Sequence, residues 1–168
     1  MHFEVAHELD APLDAVELAV LSPALGPMLA KALAPGIASV EIVQHEVERG
    51  ELRSVLRYQA SAPLSIFQGR TIAQDALSWD TCQTYRLATH EARWEVLPRE
   101  QYRRYFQASG RYRLTALPDG RTRRTIDGEL TITVPVPMIG PITERLALAE
   151  IRKTYDAEAD VLRSLTLL

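Results

Sequence analysis

From Thr143 to Leu165 the chain contains neither proline nor glycine, and Leu148, Ile151, Tyr155, Ala159, Leu162 and Leu165 recur at three- and four-residue steps. Glu144, Glu150, Arg152, Lys153, Asp156, Glu158, Asp160 and Arg163 occupy the remaining positions. This spacing predicts one amphipathic helix with a single apolar stripe. At 1.5 Å per residue, about 25 residues reach ~35–40 Å, long enough to cross a whole sheet. Such a stripe is stable only when covered, so the preceding residues must supply a broad apolar surface.

They do so mostly as strands. His2–Leu9 alternates, with Phe3, Val5, His7 and Leu9 on one face. Asp10 is placed to cap a helix with Pro12 in its first turn, and Leu13, Val16, Glu17 and Val20 follow at helical spacing. Pro23 ends that helix and opens a second, Pro23–Leu33, which Ala34-Pro35-Gly36 stops. From Ile37 to Val136 the period changes to two.

Residues 37–48 and 51–61 form a hairpin about Arg49-Gly50. Counting across it sets Glu46 opposite Arg53 outside. The inward face then holds Val47 opposite Leu52, His45 opposite Ser54, Val43 opposite Leu56 and Glu41 opposite Tyr58. A second hairpin, Gly69–Trp79 with Cys82–Val96, turns at Asp80-Thr81. It places Asp75 against Arg86 outside, and Ala76 with Tyr85 and Gln74 with Leu87 inside. In that register Trp79 and His90 point outward. The third hairpin, Tyr102–Leu117 with Arg121–Val136, turns at Pro118-Asp119-Gly120. Phe106, Ala108, Tyr112, Leu114, Ile126, Leu130, Ile132 and Val134 face inward, and Arg111, Arg113 and Arg123 lie outside with Asp127 and Glu129. The fold class is therefore α+β: a seven-stranded antiparallel sheet wrapped around a long C-terminal helix, with two short helices between strands 1 and 2. A twisted sheet and a straight helix part company along their length and leave a cavity.

This order resembles the helix-grip fold of the START/Bet v 1-like (SRPBCC) superfamily over nearly the whole chain, and so implies one START-like domain over residues 1–168. The most specific piece is Gly128-Glu129-Leu130-Thr131-Ile132-Thr133-Val134-Pro135-Val136-Pro137-Met138-Ile139-Gly140, followed by Ile142-Thr143-Glu144. It is similar to the strand-to-helix junction of the DUF2505 family of uncharacterised bacterial proteins, which also ends in a long helix with recurring acidic residues. Pro137 departs from that pattern, where an aliphatic residue is usual, and shifts the expected helix start by a residue or two.

Composition narrows the partners. The formal net charge of −3 leaves no positive excess to hold a polyanion, which excludes nucleic acid. Arg99, Arg103, Arg104, Arg111, Arg113, Arg121, Arg123 and Arg124 cluster on the third hairpin, but nearby carboxylates make this a solvated sheet surface with at most transient membrane contact. Cys82 is the only cysteine, so intrachain disulfides and cysteine-rich zinc sites are ruled out and a reducing compartment fits. The acidic N-terminus does not read as a signal peptide. Pro23, Gly26 and Pro27 break the weakly charged run Leu18 to Ala30, so a cytoplasmic location is expected. His2 and His7 alternate to opposite faces, and no metal or other cofactor is expected.

The primary reading is a binding module for a hydrophobic or amphipathic small molecule such as a lipid, quinone or polyketide. Its expected wall comes from the sheet, with Val43, His45, Ser54, Leu56, Tyr58 and Gln74 on one side and Tyr85, Leu87, Phe106 and Tyr112 on the other. Leu148, Ile151 and Tyr155 of the terminal helix close it. The alternative is a polyketide cyclase/dehydratase-like enzyme using His45 as base and Tyr58 or Glu41 as acid. A third reading is an interaction module on the same sheet without a cavity.

Overall fold

A computed structural model describes residues 1–61, 78–133 and 140–167, with the side chains of 140–143 outside the description. The chain runs β1 (His2–Leu9), α1 (Leu13–Leu21), α2 (Leu25–Leu33), β2 (Ile37–Glu48), β3 (Glu51–Ala60), β4 (Ser78–Arg86), β5 (Glu91–Pro98), a short 3-10 turn (Glu100–Tyr102), β6 (Phe106–Ala116), β7 (Thr122–Ile132) and α3 (Gly140–Thr166). The strands form one antiparallel sheet of seven, ordered β1-β7-β6-β5-β4-β3-β2. The first strand thus closes beside the last, and β2 is the far edge. α3 lies against β1, β7, α1 and α2.

The alternating residues of β1 pair inward with those of β7: Phe3 with Gly128, Val5 with Ile126, His7 with Arg124 and Leu9 with Thr122. One main core gathers Phe3, Val5, Leu9, Tyr85, Trp94, Tyr112, Ile126 and Leu130 with Ala159 and Leu162 of α3. A second cluster joins Leu29 and Leu33 of α2 to Tyr58 and to Val161 of α3.

Two glycines shape the middle of the inner face. Gly110 and Gly128 stand opposite each other on β6 and β7. The indole of Trp94 lies over Gly128, where an added Cβ would meet its Cζ2 at 2.5 Å. Trp94 then reaches Phe3 at 5.9 Å and Tyr155 of α3 at 6.1 Å, ring centre to ring centre.

Several expectations need correction. Asp10 does not cap α1; Pro12 holds the N-cap position, and Asp14 Oδ1 accepts from the Ala15 amide at 2.9 Å. α2 starts at Leu25, and α3 starts at Gly140, ahead of the expected Thr143. Pro141 fits that first turn because its missing N–H would be unpaired there in any case. Asp80-Thr81 is not a turn. Trp79, Thr81, Gln83 and Tyr85 alternate with Asp80, Cys82, Thr84 and Arg86 through a continuous β4, and the chain reverses at residues 87–90. Arg86 faces Glu51 and Glu91 in the ladder, and Tyr85 faces Leu52 and Ala92. Gln74, Asp75 and Ala76, and the expected strand from Gly69, lie outside the described residues.

The first hairpin turns as expected, with Arg49 at φ 52° and Gly50 at φ 75°, both in the left-handed region that a two-residue turn demands. His45 faces Ser54, and Val47 faces Leu52. Beyond them a β-bulge falls between Ile42 and Gln44, so Ile42 faces Leu56, Glu41 faces Arg57 and Val40 faces Tyr58. One inserted residue reverses the facing of everything before it. Val43 is consequently 47% exposed, and Glu41 moves to the outer face.

Candidate functional site

The hairpin registers carry rows of side chains across the inner face. One row runs Phe3, Gly128, Gly110, Trp94, Gln83, Ser54, His45. The next runs Val5, Ile126, Tyr112, Ala92, Tyr85, Leu52, Val47. On the β1, β7 and β6 side these positions are buried under α3. On the β2–β4 side His45, Ser54, Thr81 and Gln83 remain half-buried although they point inward, and Ile42 is 38% exposed. The inner face is therefore sealed at one side and accessible at the other.

The accessible side is polar. Among the described residues, His45, Ser54 and Gln83 make no side-chain hydrogen bond. His45 and Ser54 border a cavity of about 20 Å³ that Val20, Pro23 and Gly26 cap from the α1–α2 corner. That is room for roughly one water. Tyr58 lies four residues along β3 from Ser54, ~13 Å at strand rise, and stacks on Trp79 with ring centres 5.6 Å apart. Trp79 faces inward, contrary to expectation. With Glu41 outside beside Arg57, the bulge takes apart the acid–base group of His45, Tyr58 and Glu41.

The sealed side holds a charged cluster. Arg124 has no exposed surface, and its Nη2 lies 2.8 Å from Glu158 Oε1 of α3. Nη1 donates to the Tyr155 carbonyl at 3.2 Å. The guanidinium carbon sits 5.0 Å from the Tyr112 ring centre and 5.6 Å from that of Tyr155, a cation held between two aromatic faces. Burial works against its charge, but Glu158, Tyr112 and Tyr155 outweigh it and raise its affinity for the proton. Beside it on β1, His7 meets Asp156 of α3, Nε2 to Oδ1 at 2.7 Å. The arginine-rich charge pattern predicts Arg124 on the solvated surface, and the structure buries it. Its parity with Ile126, Gly128 and Leu130 was the available signal of an inward position. The other hairpin arginines are outward: Arg121 and Arg123 bind Glu8, and Arg113 binds Glu91.

A third polar group ties α1 to the sheet. The Tyr85 hydroxyl donates to Glu17 Oε2 at 2.6 Å, and His90 Nδ1 lies 2.6 Å from the same oxygen. His90 stands in the β4–β5 turn at φ 56°, not on an outer strand face. Leu87 is in that turn too, half-buried against the core. Phe106, Leu148, Ile151 and Tyr155 likewise pack against the core, with Leu56 against the second cluster. Cys82 lies in mid-strand on the outer face, where burial pushes its thiol up, so it is not an activated nucleophile. A separate outer cleft of about 310 Å³ lies between the 3-10 turn and β3–β5. Its floor is the Arg57–Asp80 ion pair, whose two hydrogen bonds of 2.8 and 3.1 Å neutralise it internally.

The tyrosines beneath the helices set an alkaline limit. Burial raises Tyr58, Tyr85, Tyr112 and Tyr155 above the ordinary phenol value, Tyr112 to about 12. Between about pH 10 and 12 the folded chain keeps protons that the unfolded chain releases. Stability is thus intact below pH 10 and falls as pH rises, by up to about 1.4 kcal/mol per unit for each such group. Phenolate absorbance should show these four tyrosines ionising together with loss of tertiary structure. Their titration near pH 10 in a protein that stays folded would contradict the burial.

A curved antiparallel sheet gripping one long terminal helix, with two short helices after the first strand, is the helix-grip fold of START/Bet v 1-like proteins. Residues 4–165 match the sequence model of the family described as "Protein of unknown function (DUF2505)", and the chain belongs to that family. The fold is similar to the Zhui aromatase/cyclase from Streptomyces sp. R1128 (TM-score 0.64, 18% identity, covering 99% of this chain and 93% of that one). It is also similar to a START superfamily protein from Mycobacterium smegmatis (TM-score 0.58, 17% identity, covering 98% of each chain). Norcoclaurine synthase from Thalictrum flavum, solved with dopamine and hydroxybenzaldehyde, aligns with a TM-score of 0.65 at 12% identity, covering 96% of this chain and 86% of that one. No curated protein matches the sequence. Among the described residues no single helix is long and apolar enough to cross a membrane.

Proposed function

We propose that this protein binds a hydrophobic or amphipathic small molecule, of the lipid, quinone or polyketide kind, between the sheet and α3. The observation that carries this reading is the asymmetry of the inner face. Inward-pointing Ile42, His45, Ser54, Thr81 and Gln83 keep contact with solvent, while Trp94 and Tyr112 are packed in the core beyond them with Tyr155 against it. A guest larger than the water-sized void at His45 and Ser54 would therefore have to part the helices from the sheet. A guest entering on the β2–β4 side would exchange water for aromatic surface, at about 25 cal/mol per Å² before ordering costs. His45, Ser54, Leu56 and Gln83 would line the entrance, and Tyr85, Phe106, Leu148 and Ile151 the interior. A cyclase-like reaction would have to run on His45 with Ser54 and Gln83, since Glu41 and Tyr58 lie elsewhere.

Mass spectrometry of protein purified and sprayed under native conditions is expected to show a small-molecule adduct that denaturation releases. Lipids or quinones at a hundredfold excess over Kd should add about 2.7 kcal/mol of stability. Absence of an adduct, together with an unchanged melting temperature across a lipid, quinone and polyketide panel, would overturn the reading.

A further inference from the structure

The hydrogen-bond accounts around Arg124 specify what the interior lacks. Nη1 is used on the Tyr155 carbonyl. Nη2 stands close to Glu158 without aiming an N–H at it, and Nε–H has no acceptor among the described residues. The Tyr112 hydroxyl, buried within the same cluster and within reach of the guanidinium, makes no well-aligned hydrogen bond among the described residues either. An unmade buried hydrogen bond is costly, and such groups in folded proteins are nearly always paired. Among the described residues, three donors on these two adjacent side chains lack a well-aligned acceptor.

The charge balance selects its kind. The positive charge of Arg124 is already met by Glu158, and Asp156 stands nearby on His7. A guest carboxylate would add a further negative charge against one guanidinium in a desolvated site. An ammonium would bring donors where donors are already in excess. A neutral oxygen acceptor satisfies the hydrogen bonds and leaves the charge unchanged. The fourth unpartnered atom, His7 Nδ1, is an acceptor whenever Nε2–H donates to Asp156, and so does not compete for this role.

We propose that the polar end of the guest is a neutral carbonyl oxygen, as in a ketone, ester or quinone, received by Arg124 Nε–H and Tyr112 O–H. This rests on the reading that the interior takes a guest. The test compares methyl nonyl ketone, decanoic acid, decylamine and decane by calorimetric titration of the full chain and of Tyr112→Phe. The ketone should bind about tenfold tighter than decane, and Tyr112→Phe should remove most of that advantage while leaving decane unchanged. The ligand-free variant should melt at or above the wild-type temperature, because it loses a buried hydroxyl that makes no well-aligned hydrogen bond among the described residues. Tighter binding of the acid or the amine, an unaltered ketone affinity in Tyr112→Phe, or a melting temperature several degrees lower in that ligand-free variant would each overturn the proposal. If decane binds and the ketone gains nothing, the guest site stands and the carbonyl assignment falls. If none of the four binds, the guest site fails and takes this assignment with it.

Discussion

Glu158→Ala should destabilise the protein by about 3–5 kcal/mol at neutral pH. The substitution leaves the Arg124 guanidinium in place with no exposed surface and without its counter-charge. Most of the cost is the stranded charge rather than the lost pair. Replacing Arg124 and Glu158 together by apolar residues of similar volume should therefore recover much of the stability. Urea unfolding of both variants separates the two contributions. A near-neutral Glu158→Ala would mean that Arg124 reaches water, contrary to its burial between Tyr112 and Tyr155.

Gly110→Ala should be comparably damaging. A Cβ at this position would lie 1.9 Å from the Asp127 carbonyl oxygen and 2.6 Å from the Gly128 Cα, both on the paired strand. Neither is a flexible side-chain tip, so β6 and β7 must part or slip in register. The expected loss exceeds about 3 kcal/mol, the upper range of ordinary overpacking. The signature should include a change in Trp94 fluorescence, because Gly110 is its ladder partner and the indole rests on the facing Gly128. An alanine variant with wild-type stability and emission would refute the close pairing.

Much of the architecture was legible because it depends on period. The switch from two-residue alternation to three- and four-residue steps marks α3, and alternation along β1, β6 and β7 assigned Phe3, Tyr112, Ile126 and Leu130 to the core. Errors arose where one inserted residue or one atypical turn decides the outcome. The bulge at Val43 has no compositional mark, yet it reverses Glu41 and dismantles a plausible catalytic group. The β4–β5 reversal uses Leu87-Ala88-Thr89-His90, without glycine, proline or asparagine, so the polar pair Asp80-Thr81 looked like the better turn. His90 tolerates its left-handed backbone while holding Glu17. Arg124 reads as surface by its charge, and only its parity with Ile126 and Leu130 points inward. Its partners Glu158 and Tyr155 come from α3, and no local pattern reveals a contact across that sequence distance.

A guest entering between sheet and helix must disturb the inner face, and the two tryptophans report on that face. Trp94 lies deep against Phe3 and Tyr155, and Trp79 lies on the same face against Tyr58. A proton–nitrogen correlation spectrum recorded during titration with methyl nonyl ketone follows both indole N–H signals at once. The Trp94 signal is expected to shift and saturate together with amides of Gly110, Tyr112 and α3, while amides of Arg57 and Asp80 at the outer cleft stay fixed. A titration that leaves the Trp94 signal unmoved while outer-face amides shift would contradict a guest between sheet and helix.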